Sequence, residues 1–116
     1  SMGEVPLTIP VAAGGVLPMQ ARIDRLVVEP GRVLIVDYKT DETVPLSPSG
    51  VSKSYLAQLG AYRAAVALIY PAHLVEAAIL WTRSRRLMVL PEGELATAFQ
   101  RALAHATGID LVQDDT

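Results

Sequence analysis

Two apolar runs joined by a Pro-Gly pair constrain the fold of this chain more than any other feature. The stretch "ARIDRLVVEPGRVLIVDYKT", residues 21–40, is rich in aliphatic and β-branched residues on both sides of Pro30-Gly31. Such runs favour strands, and a two-residue turn between them favours a β-hairpin. In that hairpin Asp24 lies opposite Asp37, and Arg22 lies opposite Lys39. Because side chains alternate between the faces of a strand, these polar residues share one end of an apolar face.

The remaining pattern predicts an α/β domain. Extended runs predict a three-strand meander, over residues 4–12, 17–29 and 32–39, with a turn at Gly14-Gly15 and a polar loop after the third strand. Apolar residues at helical spacing predict a helix over 51–69, which ends before Pro71. A strand over 74–82, a short antiparallel partner in "LMVLP" and a helix over 92–107 follow. Because a strand–helix–strand connection joins parallel strands, we expect a mixed sheet of four to five strands flanked by helices.

The composition limits the classes of function. A chain of 116 residues, 51% of them apolar, can bury one core. The net charge of −2 means that any DNA contact depends on local basic patches. The absence of cysteine excludes disulfides and thiolate metal sites. The longest apolar run, "AAVALIY", is too short to cross a membrane, and no signal peptide is evident, so we expect a cytoplasmic protein without a membrane partner.

The chain ends are expected to lie outside the folded unit. Ser1 and Met2 have the appearance of a cloning remnant, and the polar end "QDDT" favours a frayed tail over residues 113–116. The predicted domain therefore covers residues 3–112.

The opposed carboxylates indicate a metal site. Two like charges across a ribbon repel, and burial raises the pKa of at least one of them unless a cation neutralises the pair. Mg²⁺ commonly takes one or two carboxylates and completes its shell with waters and phosphate oxygens. Lys39, on the same face, could orient a water and offset charge on a phosphate. Two alternatives remain: Asp24 and Asp37 could pair with Arg22, Arg25 and Lys39 without a metal, or a bulge could send Asp24 to the other face.

The order of motifs resembles a known family. "RIDR", then "DYKT" with Asp37 thirteen positions after Asp24, then "QLGAY" on the next helix, resembles the PD-(D/E)xK nuclease superfamily. Within it the chain is most similar to the RecB-like nuclease domain of AddA-type helicase-nucleases. The resemblance implies a restriction-endonuclease-like core and Mg²⁺-dependent hydrolysis of DNA, with Mn²⁺ as a substitute, in exonuclease-type end processing at double-strand breaks. It also implies DNA, the helicase domains of a parent chain and a second helicase-nuclease subunit as partners, with ATP used only by the motor domains.

The resemblance implies roles for the central residues. Asp24 and Asp37 match the metal-binding acidic residues, and Lys39 matches the signature lysine. The backbone carbonyl of Tyr38 is a further candidate metal ligand. Gln58, the first residue of the "QxxxY" pattern, is a candidate catalytic residue, although it could also be a surface residue of the helix.

Secondary candidates have alternative roles. Tyr62 completes the "QxxxY" pattern, but its place in the helical stripe favours a core residue whose hydroxyl reaches a polar edge. Glu4 resembles an acidic position of the first family motif, or is a solvated charge. Thr40 is expected to form hydrogen bonds at the strand end. Four basic residues are candidates for phosphate contacts or for solvated charges: Lys53, Arg83, Arg85 and Arg86.

The chain departs from the family in two respects. RecB-like members carry a helix with a metal-binding histidine before the first strand, and no such segment precedes "EVPLTIPV". The glycine of the first acidic motif is also absent before Ile23-Asp24. We therefore expect a core that lacks its first helix, is weakly active or inactive alone and self-associates through an uncovered sheet face. The alternatives are a non-catalytic DNA-binding or scaffold module, and a hydrolase of another phosphate ester.

Overall fold

The computed structural model describes residues 5–10 and 16–107, so the predicted turn at Gly14-Gly15 and the predicted tail lie outside the described residues. The elements are, in chain order, β1 (Val5–Pro10), β2 (Val16–Ile23), β3 (Arg25–Glu29), β4 (Arg32–Lys39), a 3₁₀ turn (Pro48–Gly50), α1 (Lys53–Ile69), β5 (Leu74–Trp81), β6 (Arg86–Val89) and α2 (Glu92–Thr107).

The main sheet is mixed, as predicted. Its four strands are ordered β3-β4-β5-β6. The β3–β4 and β5–β6 pairs are antiparallel, whereas β4 and β5 are parallel and are joined through α1. Strands β1 and β2 pair with each other in a separate two-stranded ladder. The predicted α/β class, with a crossover helix between parallel strands, is confirmed.

The β3–β4 hairpin has the predicted register. Val28 pairs with Val33, and Arg25 pairs with Val36. Gly31 follows Pro30 with a φ of 76°, a left-handed value that glycine adopts without steric cost. No bulge shifts this ladder, so Asp24 is carried to the edge of the hairpin beside Asp37.

The prediction of one continuous strand over residues 17–29 is wrong at Asp24. Strand β2 ends at Ile23, and β3 begins at Arg25. The backbone N–H of Tyr38 donates to Asp24 Oδ2 at 2.8 Å. Aspartate side chains compete with backbone carbonyls for such donors, and here the carboxylate takes the place of a ladder acceptor. The break lets β2 pair with β1 instead of β4, so Arg22 lies opposite Pro6 and not opposite Lys39 as predicted.

Helix α1 covers one face of the main sheet. Its predicted start at residue 51 is two residues early, because the 3₁₀ turn precedes it and Ser52 caps it by accepting from Tyr55 N at 3.2 Å. The core on this face consists of Leu56, Leu59, Tyr62 and Val66 of the helix, packed with Val33, Ile35, Val75, Ala77, Ile79 and Trp81 of the sheet. Neither helix of the described part of the chain is long and apolar enough to cross a lipid bilayer.

Helix α2 packs closely on α1. A Cβ atom at Gly60 would collide with the carbonyl oxygen of Leu95 and would lie 2.9 Å from the Cβ of Phe99. The glycine of "QLGAY" therefore permits the two helix backbones to approach, and α1 is held between α2 and the sheet.

Candidate active site

The candidate site lies where β4 changes from apolar to polar side chains. Val33 and Ile35 point under α1 and are fully buried. The next position on that face is Asp37, which is only 3% exposed and is the single buried charged residue in the part of the chain that the structure describes. Lys39 follows on the same face. The strand thus carries a carboxylate to the edge of the apolar core.

Asp24 lies beside this position through its contact with the backbone of Tyr38. The N–H and C=O groups of one strand residue point to the same edge, so the Tyr38 carbonyl also faces the Asp24 edge of β4. The Lys39 carbonyl faces the opposite edge, where it accepts from Thr82 N at 2.9 Å. Asp24 and the Tyr38 carbonyl therefore contribute oxygen atoms along one edge of the strand that bears Asp37.

Asp37 is incompletely neutralised. Burial raises the pKa of its carboxyl group above the usual 3.8, the nearby Asp24 adds to the rise, and the Lys39 ammonium opposes it without cancelling it. The Lys39 Nζ atom lies 3.0 Å from Asp37 Oδ2. This contact lacks the alignment of a hydrogen bond, so Oδ2 is a buried acceptor without a hydrogen-bond donor in the described part of the chain. A further cation would satisfy this oxygen.

Three groups hold the Lys39 ammonium in place. It donates to Gln58 Oε1 at 3.1 Å, contacts Asp37, and lies 4.1 Å from the centroid of the Tyr55 ring. The ring face attracts the positive charge, and its effect is larger where water is partly excluded. The Lys39 side chain is only 17% exposed. The ammonium is thus directed at the Asp37 carboxylate.

Tyr62 of α1 lies on the buried side of the site. Its side chain is buried, and burial raises the pKa of its hydroxyl, with the charges of Asp37 and Asp24 adding to the rise. Hydrogen bonds of this hydroxyl with the Arg22 backbone and Gln58 lower the pKa by less. Tyr62 therefore belongs to the core and also supports Gln58, the residue that holds Lys39.

Two residues of the site were missed in the sequence analysis. The Tyr55 hydroxyl donates to both carboxylate oxygens of Asp41, at 3.0 and 3.1 Å. This hydrogen bond is the main reason that the pKa of Tyr55 is raised. Tyr55 is three residues before Gln58 and seven before Tyr62, and this spacing on one helix side could have identified it. Asp41 lies in a loop without periodicity, so no sequence signal places it.

The remaining candidates lie farther from the carboxylates. Thr40 is exposed, and its backbone carbonyl accepts from Arg83 Nε at 2.8 Å. Arg83 Nη1 also lies 3.7 Å from Glu42 Oε2, so Glu42 partly neutralises the charge of Arg83. Lys53, Arg85 and Arg86 are exposed. Glu4 lies outside the described residues, and its predicted role stays a prediction.

The residues fit a hard divalent cation. The available donors are oxygen atoms: the carboxylates of Asp24 and Asp37 and the carbonyl of Tyr38. The unsatisfied Oδ2 of Asp37 is an observation in favour of a bound cation. No group of three or more His, Cys, Asp or Glu side chains gathers within the described ranges. Such a small donor set suits Mg²⁺, which keeps several waters, better than the protein-rich shells of Zn²⁺ or Ca²⁺.

Comparison with models of protein families identifies a superfamily that covers most of the chain. The family model of the PD-(D/E)XK nuclease superfamily matches residues 2–111. This range includes the acidic residues, the lysine and the α1 residues described above. No curated protein matches the chain.

Proposed function

The chain belongs to the PD-(D/E)XK nuclease superfamily, and from this premise we propose that Asp24, Asp37 and Lys39 form the active site of a metal-dependent DNA nuclease. Membership indicates hydrolysis of nucleic-acid phosphodiester bonds in general. The observation that carries the proposal is the buried Asp37 oxygen that has no hydrogen-bond donor although Lys39 is 3.0 Å away. This oxygen lies beside Asp24 and the Tyr38 backbone, where it is open to a hard cation that takes carboxylate oxygens as ligands.

The side chains divide the work of hydrolysis. The carboxylates of Asp24 and Asp37, with the Tyr38 carbonyl, would hold Mg²⁺ or Mn²⁺. When bound, the ion supplies Lewis acidity to the phosphate and to the attacking water. Lys39 stabilises negative charge that develops on the phosphate, because its ammonium is already held beside the Asp37 carboxylate. Gln58 and Tyr62 keep the ammonium in this position.

We also propose a cellular context for this activity. The ordered motifs "RIDR", "DYKT" and "QLGAY" support a RecB-like nuclease domain of an AddA-type helicase-nuclease. In that setting it would trim DNA ends during double-strand break repair, with ATP-driven motor domains and a second helicase-nuclease subunit as partners. The sheet face opposite α1 carries exposed Leu87 and Val89, which supports self-association of the isolated chain.

Cleavage assays on the helicase-nuclease parent test the proposal. Lys39→Ala should lower Mg²⁺-dependent DNA degradation on the order of 10²–10³-fold, since one electrostatic group is lost, while ATP hydrolysis continues. Arg32→Ala is the matched control, because Arg32 is a cation of the same strand that pairs with Glu76 far from the carboxylates. Degradation at the normal rate by Lys39→Ala would refute the assignment.

Metal binding separates the roles of the residues. In calorimetry of the 116-residue chain, Asp37→Ala and Asp24→Ala should lose Mg²⁺ binding, whereas Lys39→Ala should retain it. The chain alone should cleave DNA slowly or not at all. Metal binding unchanged by both aspartate substitutions would favour the alternative, a non-catalytic module that keeps the nuclease fold.

A further inference from the structure

A groove adjoins the candidate site and shares one side chain with it. Its volume is about 660 Å³, and it is lined by the loop that follows β4 and by the start of α1. Tyr55 lines this groove and also contacts the Lys39 ammonium. Trp81, which is 1% exposed, lies at the bottom, with its ring centroid 6.3 Å from that of Tyr55. Leu46, which is 88% exposed, lies at the rim.

Trp81, which lines the groove, carries a buried donor that the proposed chemistry does not use. The indole Nε1 of Trp81 has no hydrogen-bond partner in the described part of the chain. A buried N–H without an acceptor destabilises a fold, and such groups in native structures usually point to a missing water or ligand. A ligand in the groove would contact the Trp81 side chain, and an acceptor that reaches the indole N–H would satisfy it.

The groove also contains a hydrogen-bond acceptor, the Asp41 carboxylate, and this acceptor favours a nucleobase over a phosphate as the ligand. The Asp41 carboxylate lines it and is held by the Tyr55 hydroxyl. A phosphate carries only acceptors and negative charge, so Asp41 would repel it. A nucleobase presents donors and acceptors on one edge and a flat apolar face, which suits Asp41, the Trp81 N–H and the Leu46 side chain together. The volume is also within the range of small-molecule sites.

We propose that this groove binds one unpaired nucleobase of the DNA strand, next to the phosphodiester that is cleaved. The inference rests on the proposed nuclease function for its choice of a DNA strand. Because Tyr55 contacts both the groove and Lys39, a base seated there brings the adjoining phosphate to the ammonium. A base paired within a duplex cannot enter, so the strand must be unpaired at this nucleotide.

The charge of Asp41 gives the groove a preference among bases. Its carboxylate accepts from the exocyclic amino group of cytosine or adenine, and thymine has no such group. We expect a deoxycytidylate strand to bind more tightly than a thymidylate strand of the same length. Asp41→Asn should reduce this difference, because the amide offers a donor as well as an acceptor.

Trp81 is the only tryptophan of the chain, so its fluorescence reports on the groove directly. The probes are a short single strand of deoxycytidylate and an abasic strand of equal length and charge, both in EDTA so that no cleavage occurs. The deoxycytidylate strand should shift the Trp81 emission and bind about tenfold or more tightly than the abasic strand. Equal binding of the two strands, or an unchanged emission, would overturn the proposal.

A pair of exposed leucines supplies the matched variants. Leu46→Ser should weaken binding of the deoxycytidylate strand several-fold, whereas Leu68→Ser, 63% exposed on the outer side of α1, should not. Thermal melts of both variants show whether the fold is retained. Equal effects of the two substitutions would count against the groove.

The two proposals can fail separately. If the parent does not cleave DNA with Mg²⁺ but the deoxycytidylate strand still shifts the Trp81 emission, the nuclease assignment fails and the groove stands. If cleavage depends on Lys39 but the abasic strand binds equally well, the groove fails and the nuclease assignment stands.

Discussion

The two ends of the β4–β5 pair place charged residues in opposite ways. At the end near the hairpin turn, Arg32 Nε donates to Glu76 Oε1 at 2.8 Å, and both side chains are accessible to water. At the other end, Asp37 lies on the face under α1 and is 3% exposed, with an oxygen that Lys39 approaches without a hydrogen bond. Water can solvate the first pair, whereas the second depends on groups supplied by the protein or a ligand. The contrast shows why only the second end is a candidate site.

The largest expected effect concerns the apolar part of β4. Ile35→Ala should lower the free energy of unfolding by about 2–5 kcal/mol, since Ile35 is fully buried and its loss leaves a cavity. Asp37→Asn, two positions later on the same face, should cause no such loss in EDTA. Urea denaturation measures both. Equal losses in the free energy of unfolding would show that Asp37 contributes to stability as a core residue does, which would contradict the contrast.

Divalent cations should stabilise the folded chain through the carboxylates at the Asp37 end of the β4–β5 pair only. At about 100 times its dissociation constant, Mg²⁺ should raise the free energy of unfolding by about 2.7 kcal/mol, because it binds the folded chain. Asp37→Ala should abolish this rise. Glu76→Ala, which removes a carboxylate from the other end, should keep it. Thermal melts with and without Mg²⁺ measure the effect, and an equal rise in all three proteins would contradict it.

The pH dependence of stability should differ between the ends. The folded-state pKa of Asp37 is above 3.8, so the folded chain holds this proton more tightly than the unfolded chain does. The contribution of Asp37 is therefore most favourable below 3.8, and it is lost as the pH rises through the folded-state pKa. In EDTA, Asp37→Asn should be more stable than the parent chain at neutral pH. The difference should vanish below 3.8 in denaturation curves, and a constant difference would exclude this titration.

The smallest effect is expected at the exposed pair. Arg32→Ala should lower the free energy of unfolding by less than about 1 kcal/mol, because water screens both charges. Added salt should reduce even this difference. If urea denaturation gave Arg32→Ala as large a loss in the free energy of unfolding as Ile35→Ala, the Arg32–Glu76 pair would not be a weak, solvent-screened one.

The sequence predicted those parts of the molecule that local patterns determine. The turn at Pro30-Gly31 specified the hairpin register, because a two-residue loop leaves one pairing without a bulge. Apolar residues at helical spacing identified α1 and α2, because this spacing is also a local property of the sequence. The break at Asp24 was not predicted, since it depends on competition between a side chain and a backbone acceptor. The contact of Asp41 with Tyr55 was also missed, because it joins a loop without periodicity to a helix.

The parallel pairing of β4 with β5 has a consequence for the order of folding. In the hairpin, Arg25 pairs with Val36 eleven positions later, whereas Lys39 pairs with Trp81 forty-two positions later. Closing the longer loop costs more entropy, so we expect the hairpin to form first and the parallel ladder last. Asp24 and Asp37 then meet before Thr82 can fix the Lys39 carbonyl. A nascent chain that has emerged only as far as β4 would already present both carboxylates to the solvent, and cations could influence its folding from that stage.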